Sequence, residues 1–430
     1  VSLLALELAP ALQVWATDDG MRLHRRDDDH DGVLRAAPAG SDLLALADHL
    51  WWQQVEEPGH PLGWVGWVAW EAGRFFDPAL PPAPQDLPFP VVRMDEVLAG
   101  IVAPREGPAE LVVVGATDAE ADARWTRWQG WLARDSALPP VPPRLTLLRG
   151  PEQEAHARAV RATVEDIHAG RVFQACLTHG WHLEDPGPCL ASLTLALRAR
   201  HPGDFATWLR MGEVGLAGVS PEQFFRVEGD RILARPMKGT RPRRPGHEDA
   251  DREALRLHPK DRAENVMIVD LLRNDLGRVC QPGTVRVPAL FEVETYATVH
   301  QMTSRIEGVL RPDVGPFRVL QALFPPGSMS GAPRVEACRL IAAREEGPRG
   351  LYAGSVGWIR GGRAWSFGVV IRSLQRWPGH ASWWTGGGIV ADSAPDTEWA
   401  ESCAKFAALA PLVEEVAGAP GGSFKGSLRR

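Results

Sequence analysis

The stretch HPKDRAENVMIVDLLRNDLG runs from His258 to Gly277. Pro259 suits the first turn of a helix, where its missing N–H is no loss, and Gly277 suits the stop. Val266, Val269 and Leu272 then form an apolar stripe, which predicts one buried face. Asp261 and Glu264 lie three apart and share a face. A second stretch, SAPDTEWAESCAKFAAL from Ser393 to Leu409, has the same character. Ser393 or Asp396 can cap its start, and Glu398, Glu401 and Lys405 fall on one face. Like charges three apart cost a helix about 0.2–0.5 kcal/mol, which a cation would offset. Four carboxylates from two helices suit a hard, oxygen-seeking ion such as Mg²⁺. Spacing alone favours the plainer reading, two solvated helix faces.

Outward from these helices, the 430-residue chain is long enough for one large domain or two or three ordinary ones. Its composition is that of a globular protein, and seventeen Trp imply a large packed core with aromatic-lined clefts. A net charge of -7 argues against bulk attraction to nucleic acid or to an anionic membrane. Five scattered Cys without a C-x-x-C pair suit neither a disulfide framework nor a zinc site, and fit a reducing cytoplasm. No apolar run approaches a bilayer span, and the opening VSLLALELAP, with Glu7 and no basic leader, reads as a core strand or helix.

Pro-rich stretches at Asp77–Pro90 and Leu138–Arg144 read as extended loops or linkers. They set off an N-terminal region, 1–140, from a second region, 150–415. GWVGWVAWEAGRFF, Gly63 to Phe76, reads as a buried strand entering a helix or turn. A helix carrying Val160, Val164 and Ile167 ends at Gly170. Helices and β-branched strands then alternate, and the Gly-rich tail 418–430 is expected to be disordered. There is no strand-borne G-x-G-x-x-G and no G-x-x-x-x-G-K-[ST], so nucleotide-binding folds gain little support. The triplet Gly386-Gly387-Gly388 is either a tight turn or a place where backbone N–H groups approach an anion.

Other residues invite chemistry. Lys238 lies in RPMKGTRPRRP, a basic loop broken by prolines. At an unperturbed pKa of ~10.4 only about one lysine in 2,500 is neutral at pH 7. A nucleophilic Lys238 therefore needs burial or nearby cations to lower its pKa. Glu222 sits at a turn in SPEQFF, and His300 follows a strand-like run in TVHQM. Arg372 ends FGVVIR, a position suited to bidentate capture of a carboxylate. Tyr352 lies in LYAGSVGW. Singly, each of these reads more readily as structural.

Together, SPEQFF, RPMKGTRPR, DRAENVMIVDLLRNDLGRV, TVHQMTS, PPGSMSGAPRVEA, LYAGSVGW, FGVVIRS and GGGIVADSAPDTEWAES resemble the chorismate-utilising enzymes. The resemblance covers most of 150–410, and before 140 it rests on GWVGWVAWEAGRFF alone. It implies an α+β fold: large antiparallel sheets packed on each other, with helices outside. It also implies that Glu264 and Glu401 ligate Mg²⁺, supported by Asp261 and Glu398, and that the metal holds the ring carboxylate of chorismate. Arg372, Tyr352 and the amides of Gly387 and Gly388 would take the enolpyruvyl carboxylate. His300 would lie beside the ring carboxylate, Lys405 near the metal, and Gly239 and Thr240 on the substrate. Glu222 would protonate the departing C4 hydroxyl.

Within the family, Lys at position 238 is typical of the aminodeoxychorismate synthase branch and Ala of the anthranilate synthase branch. The Lys here implies a covalent adduct at C2, displaced by ammonia at C4, on the way to para-aminobenzoate and folate. Isochorismate and salicylate synthases carry a Lys base where this chain has Gln174. No Cys lies in the G-x-C-x-G setting of a glutaminase, so ammonia is expected from solution or from a glutaminase subunit. No fused lyase is expected after the last motif. Anthranilate synthase component I, and a non-catalytic module that binds chorismate, remain the competing readings. An amino-acid pocket in the N-terminal third also stays open.

Overall fold

The computed structural model describes residues 2–415, apart from 18–19, 27–33, 37–41, 57–58, 83, 85–86, 104–106, 135–143, 188, 202 and 297–298. The tail at 418–430 and most of the Leu138–Arg144 stretch lie outside the described residues.

Two sheets dominate the described residues, one of thirteen strands and one of eight. Every pairing between strands is antiparallel except one, Leu145–Arg149 beside Val413–Glu415. The larger sheet joins strands that are far apart in the chain. Trp64–Val68 pairs with Ser355–Arg360 on one side and with Val92–Ala103 on the other. The long first strand, Ser2–Thr17, pairs with Val92–Ala103 through several register shifts. GWVGWVAWEAGRFF therefore enters the core as a strand, and a 3₁₀ turn at Trp70–Ala72 and a short helix at Gly73–Phe76 follow it.

The smaller sheet is centred on two strands, Gln174–Leu183 and His380–Ile389, paired along nine residues. Side chains alternate across a strand, and each face here has its own neighbours. Cys176 and Trp384 join the main core between the sheets. Leu177 and Ile389 meet Val160 of the helix Gln153–His168, while Trp181 and Trp383 join Phe406 of the helix Pro395–Phe406. The architecture is α+β, with antiparallel sheets facing each other and helices outside.

The first quoted stretch forms one helix, Pro259–Gly277, with Pro259 in its first turn and His258 as N-cap. The stripe differs from the sequence reading. Val266 is 46% exposed, and the buried face runs through Asn265, Ile268, Val269, Leu272 and Leu276. Asn265 pulls that face round because its side chain accepts a hydrogen bond from Ser304 at 2.5 Å. The second helix, Pro395–Phe406, has Ala394 at its N-cap, and no side chain caps it. Ser393 is diverted: its hydroxyl accepts from the Val390 amide at 3.0 Å and donates to Glu398 at 2.6 Å.

Candidate active site

The strand His380–Ile389 carries the glycine triplet, and the strand Ser373–Trp377 pairs with it only as far as Trp383. Beyond that point one edge lacks a strand partner among the described residues, so alternate amides of the glycine stretch face away from the Gln174 strand. The triplet is ladder, not a tight turn. A Cβ on Gly388 would lie 2.2 Å from Gln174 Nε2 and 3.1 Å from Lys238 Nζ. A Cβ on Gly387 would lie 3.1 Å from a Glu398 oxygen and 3.6 Å from a Glu401 oxygen. Gly387 thus leaves room for Glu398 and Glu401 of the second helix on one face of the strand, and Gly388 for Gln174 and for Lys238 of the strand Met237–Pro242 on the other.

Lys238 enters this place from the larger sheet, with its Nζ 3.5 Å from Glu264 Oε2. Burial pulls its pKa down, but Glu264, Cys176, Glu222 and Glu401 outweigh it and hold the ammonium above its ordinary value. Of the two things that could lower its pKa, burial is present, but nearby cations are not among the charges that act on it. Glu222 is buried at the turn before the strand Gln223–Glu228. Burial pushes its carboxyl up to about 7, against the opposing pulls of Ser328 and Lys238. It is therefore a carboxyl able to hold a proton near neutrality.

The carboxylates of the two helices do converge. Lys260 lies between them, 3.9 Å from Glu264 and 3.4 Å from Glu398. Lys405 reaches Glu401 and the Gly386 carbonyl, both at 2.6 Å. Burial raises Glu401, but Lys405, Lys238 and Lys260 outweigh it and hold it below the usual carboxylate range. Glu398 is 2% exposed and Glu401 half exposed. Asp261 stands apart: its carboxylate pairs with His258 at 2.8 Å and packs against Gly239. Among the described residues, no three His, Cys, Asp or Glu side chains are gathered as closely as a metal needs. The donor set nevertheless fits a hard divalent cation. Glu264, Glu398 and Glu401 supply only oxygens, and each contacts a lysine ammonium, the charge such an ion would replace, while Glu398 also accepts from Ser393.

The remaining predicted residues divide. Tyr352 is buried and stacks on Trp384, with centroids 5.9 Å apart. Arg372 sits in the turn between the strands Ala364–Val369 and Ser373–Trp377, with a left-handed φ of 52°. Burial lowers its pKa, and Tyr352 and Glu401 oppose that, so both act on its guanidinium. His300 is fully buried on the strand Val299–Val309, on the face that Ser304 turns toward the Glu264 helix. Its Nδ1 meets Thr295 at 3.0 Å, and its Nε2 has no partner among the described residues. Thr240 is exposed at the end of its strand and is not drawn in.

Two contributors escaped the sequence reading. Gln174 entered it only as the residue replacing a base. Its side chain is wholly buried beside Lys238, and neither polar atom has a partner among the described residues. Lys260 was passed over, although its place four residues before Glu264 is a pairing signal.

A family model described as chorismate binding enzyme matches residues 20–411. Aminodeoxychorismate synthase of Streptomyces griseus is 33% identical over 416 residues, covering 90% of this chain and 56% of that protein. The chain thus spans little more than half of that relative's length. Anthranilate synthase component 1 of Thermus thermophilus is 35% identical, covering 86% of this chain and 82% of that one. The crystal structure of anthranilate synthase component I from Streptococcus pneumoniae superposes with a TM-score of 0.81 at 22% identity, covering 95% of this chain and 92% of that one, a match of fold. Among the described residues no helix is long and apolar enough to cross a membrane. With the match spanning both sheets and every residue of the site, the chain belongs to the chorismate binding enzyme family.

Proposed function

We propose that this chain aminates chorismate at C4, giving 4-amino-4-deoxychorismate for para-aminobenzoate and folate synthesis. The observation that carries this reading is the position of Lys238. Its amine lies inside the carboxylate site, within reach of Glu264 and packed beside Gln174 over Gly388.

The chemistry balances on one proton shared by Lys238 and Glu222. With Lys238 neutral and Glu222 protonated, the lysine nitrogen bonds to C2. Both ring double bonds shift, and the C4 hydroxyl leaves as water with the proton from Glu222. Ammonia then bonds to C4 and Lys238 leaves C2 as a neutral amine. The new ammonium returns a proton to Glu222, which restores the pair. Two modest steps replace one difficult displacement.

Arg372 and Tyr352 hold the enolpyruvyl carboxylate, with outward amides of the glycine strand beside them. Glu264, Glu398 and Glu401 would hold Mg²⁺, which would supply a cationic anchor for the ring carboxylate where lysine ammoniums now stand. His300 offers its free Nε2 to the ring carboxylate. Ammonia comes from a glutaminase subunit or from solution, in a reducing cytoplasm.

Incubation with chorismate, Mg²⁺ and ammonia tests this. Aminodeoxychorismate, identified by mass, is the expected product. Fluorescent anthranilate formed without a lyase would favour the second reading, anthranilate synthase component I, which the 82% coverage of the Thermus thermophilus relative supports.

A further inference from the structure

Gln375 lies on the strand Ser373–Trp377, is 1% exposed, and belongs to none of the motifs that mark the site. Its side chain nevertheless uses every hydrogen-bonding position it has. Oε1 accepts from the Leu351 amide at 2.7 Å and the Tyr352 amide at 3.2 Å. Nε2 donates to the Arg349 carbonyl at 2.8 Å and to Ser382 Oγ at 3.0 Å. The opposite orientation would face N–H groups with N–H groups and oxygen with oxygen, so the amide has one assignment.

Ser382 extends the chain of bonds. Trp384 Nε1 also donates to its oxygen, at 3.2 Å. With both lone pairs filled, the hydroxyl proton goes to His380 Nε2, 3.2 Å away. That requires His380 neutral with its own proton on Nδ1. Burial, aided by His182, does push His380 down to about 4.

These bonds have one beneficiary. Tyr352 is held at its backbone by Gln375 and at its ring by Trp384, and both run through Ser382. Gly350 permits the close approach, since a Cβ there would lie 2.9 Å from Gln375 Oε1. Three residues before Gln375, on the same run of chain, is Arg372, whose guanidinium pairs with no described carboxylate. We propose that Gln375 is a positioning residue: it sets Tyr352 against Arg372 and so shapes the clamp for the carboxylate of the substrate's side chain. This rests on the proposed reading of Tyr352 and Arg372.

The test is a double-mutant cycle on chorismate KM and kcat, using Gln375→Met, which keeps the length and loses the amide, and Arg372→Gln. Gln375→Met is expected to raise KM about tenfold in the wild-type background, with kcat within about twofold, and to raise KM less than about twofold beside Arg372→Gln. Ser382→Ala, a smaller change in the same chain of bonds, is expected to raise KM about threefold. Should Gln375→Met fail to fold, Ser382→Ala carries the cycle. A destabilised control, Val160→Ala in a separate cluster, is expected to leave KM unchanged. An unchanged KM, or the same rise with and without Arg372, overturns the positioning role. A wild-type protein that neither binds nor turns over chorismate overturns the underlying reading instead, and this inference with it.

Discussion

Glu222 and Lys238 make the pH dependence of turnover a sharp test. Burial lifts Glu222 to about 7, whereas the surrounding carboxylates hold Lys238 above its ordinary value. Reaction needs the reverse arrangement, an unprotonated lysine and a protonated carboxyl. That arrangement is an isomer of the form carrying one proton on the pair, so the rate follows the population of that form. Below about 7 the pair holds two protons and is inactive. Turnover should therefore rise tenfold per pH unit up to about 7 and reach a plateau above it. At pH 6 the rate is about a tenth of the plateau, and at pH 7 about half.

The shift from an ordinary carboxyl to about 7 corresponds to about 3 kcal/mol favouring the protonated form. Without burial, the rising limb would sit below pH 5. Steady-state kcat with free ammonia held constant reads this directly. Glu222→Gln keeps the shape and removes the proton. It should lower kcat by about 10²–10⁴-fold and abolish the limb near 7. A rate that falls as pH rises through 7, or a Gln variant within a few-fold of wild type, would refute the reasoning.

Lys238→Ala should lower amination by at least about two orders of magnitude, and no covalent adduct should appear by intact-protein mass spectrometry of the chorismate-treated variant. Gly388→Ala should cost about 1–3 kcal/mol in urea unfolding and suppress turnover more than tenfold, because its Cβ meets Gln174 Nε2 at 2.2 Å and crowds Lys238. Arg349→Met should destabilise by about 3–5 kcal/mol, since the buried Arg349 pairs with Glu345 at 2.6 Å and its loss strands that carboxylate; denaturant midpoints check it. Chelation of Mg²⁺ should abolish turnover and its return restore it, and Glu398→Gln should raise the Mg²⁺ needed for half activity about tenfold or more.

The helices were legible because capping and charge spacing are local. Pro259 and the lone-standing carboxylates at 261, 264, 398 and 401 announce themselves within one turn. The stripe was misjudged at Val266 because burial is set by the partner. Ser304, 39 residues on from Asn265, decides which side of the helix faces the sheet. The sheets were not legible from periodicity at all. Trp64–Val68 has four buried residues of five, so no alternation marks it, and its partner lies nearly three hundred residues away. Only the ordered motifs, taken together, pointed to antiparallel sheets.

The charge around Lys238 shows why naming a site's residues does not fix its chemistry. The arginines on both sides of Lys238 in RPMKGTRPRRP are its neighbours in the chain but are not among the charges that act on it. Arg235 lies on the preceding strand and pairs with Asp204 and Glu294. The neighbours of Lys238 come from elsewhere: Glu264 from a helix, Glu222 from a turn, Gln174 and Gly388 from the other sheet. The resulting surroundings favour the ammonium, not the amine. An amine is released only when those carboxylates are engaged by something else. On the proposed reading, the lysine's nucleophilicity is a property of the loaded site, which would tie the two helices to the chemistry more closely than a mere anchoring role.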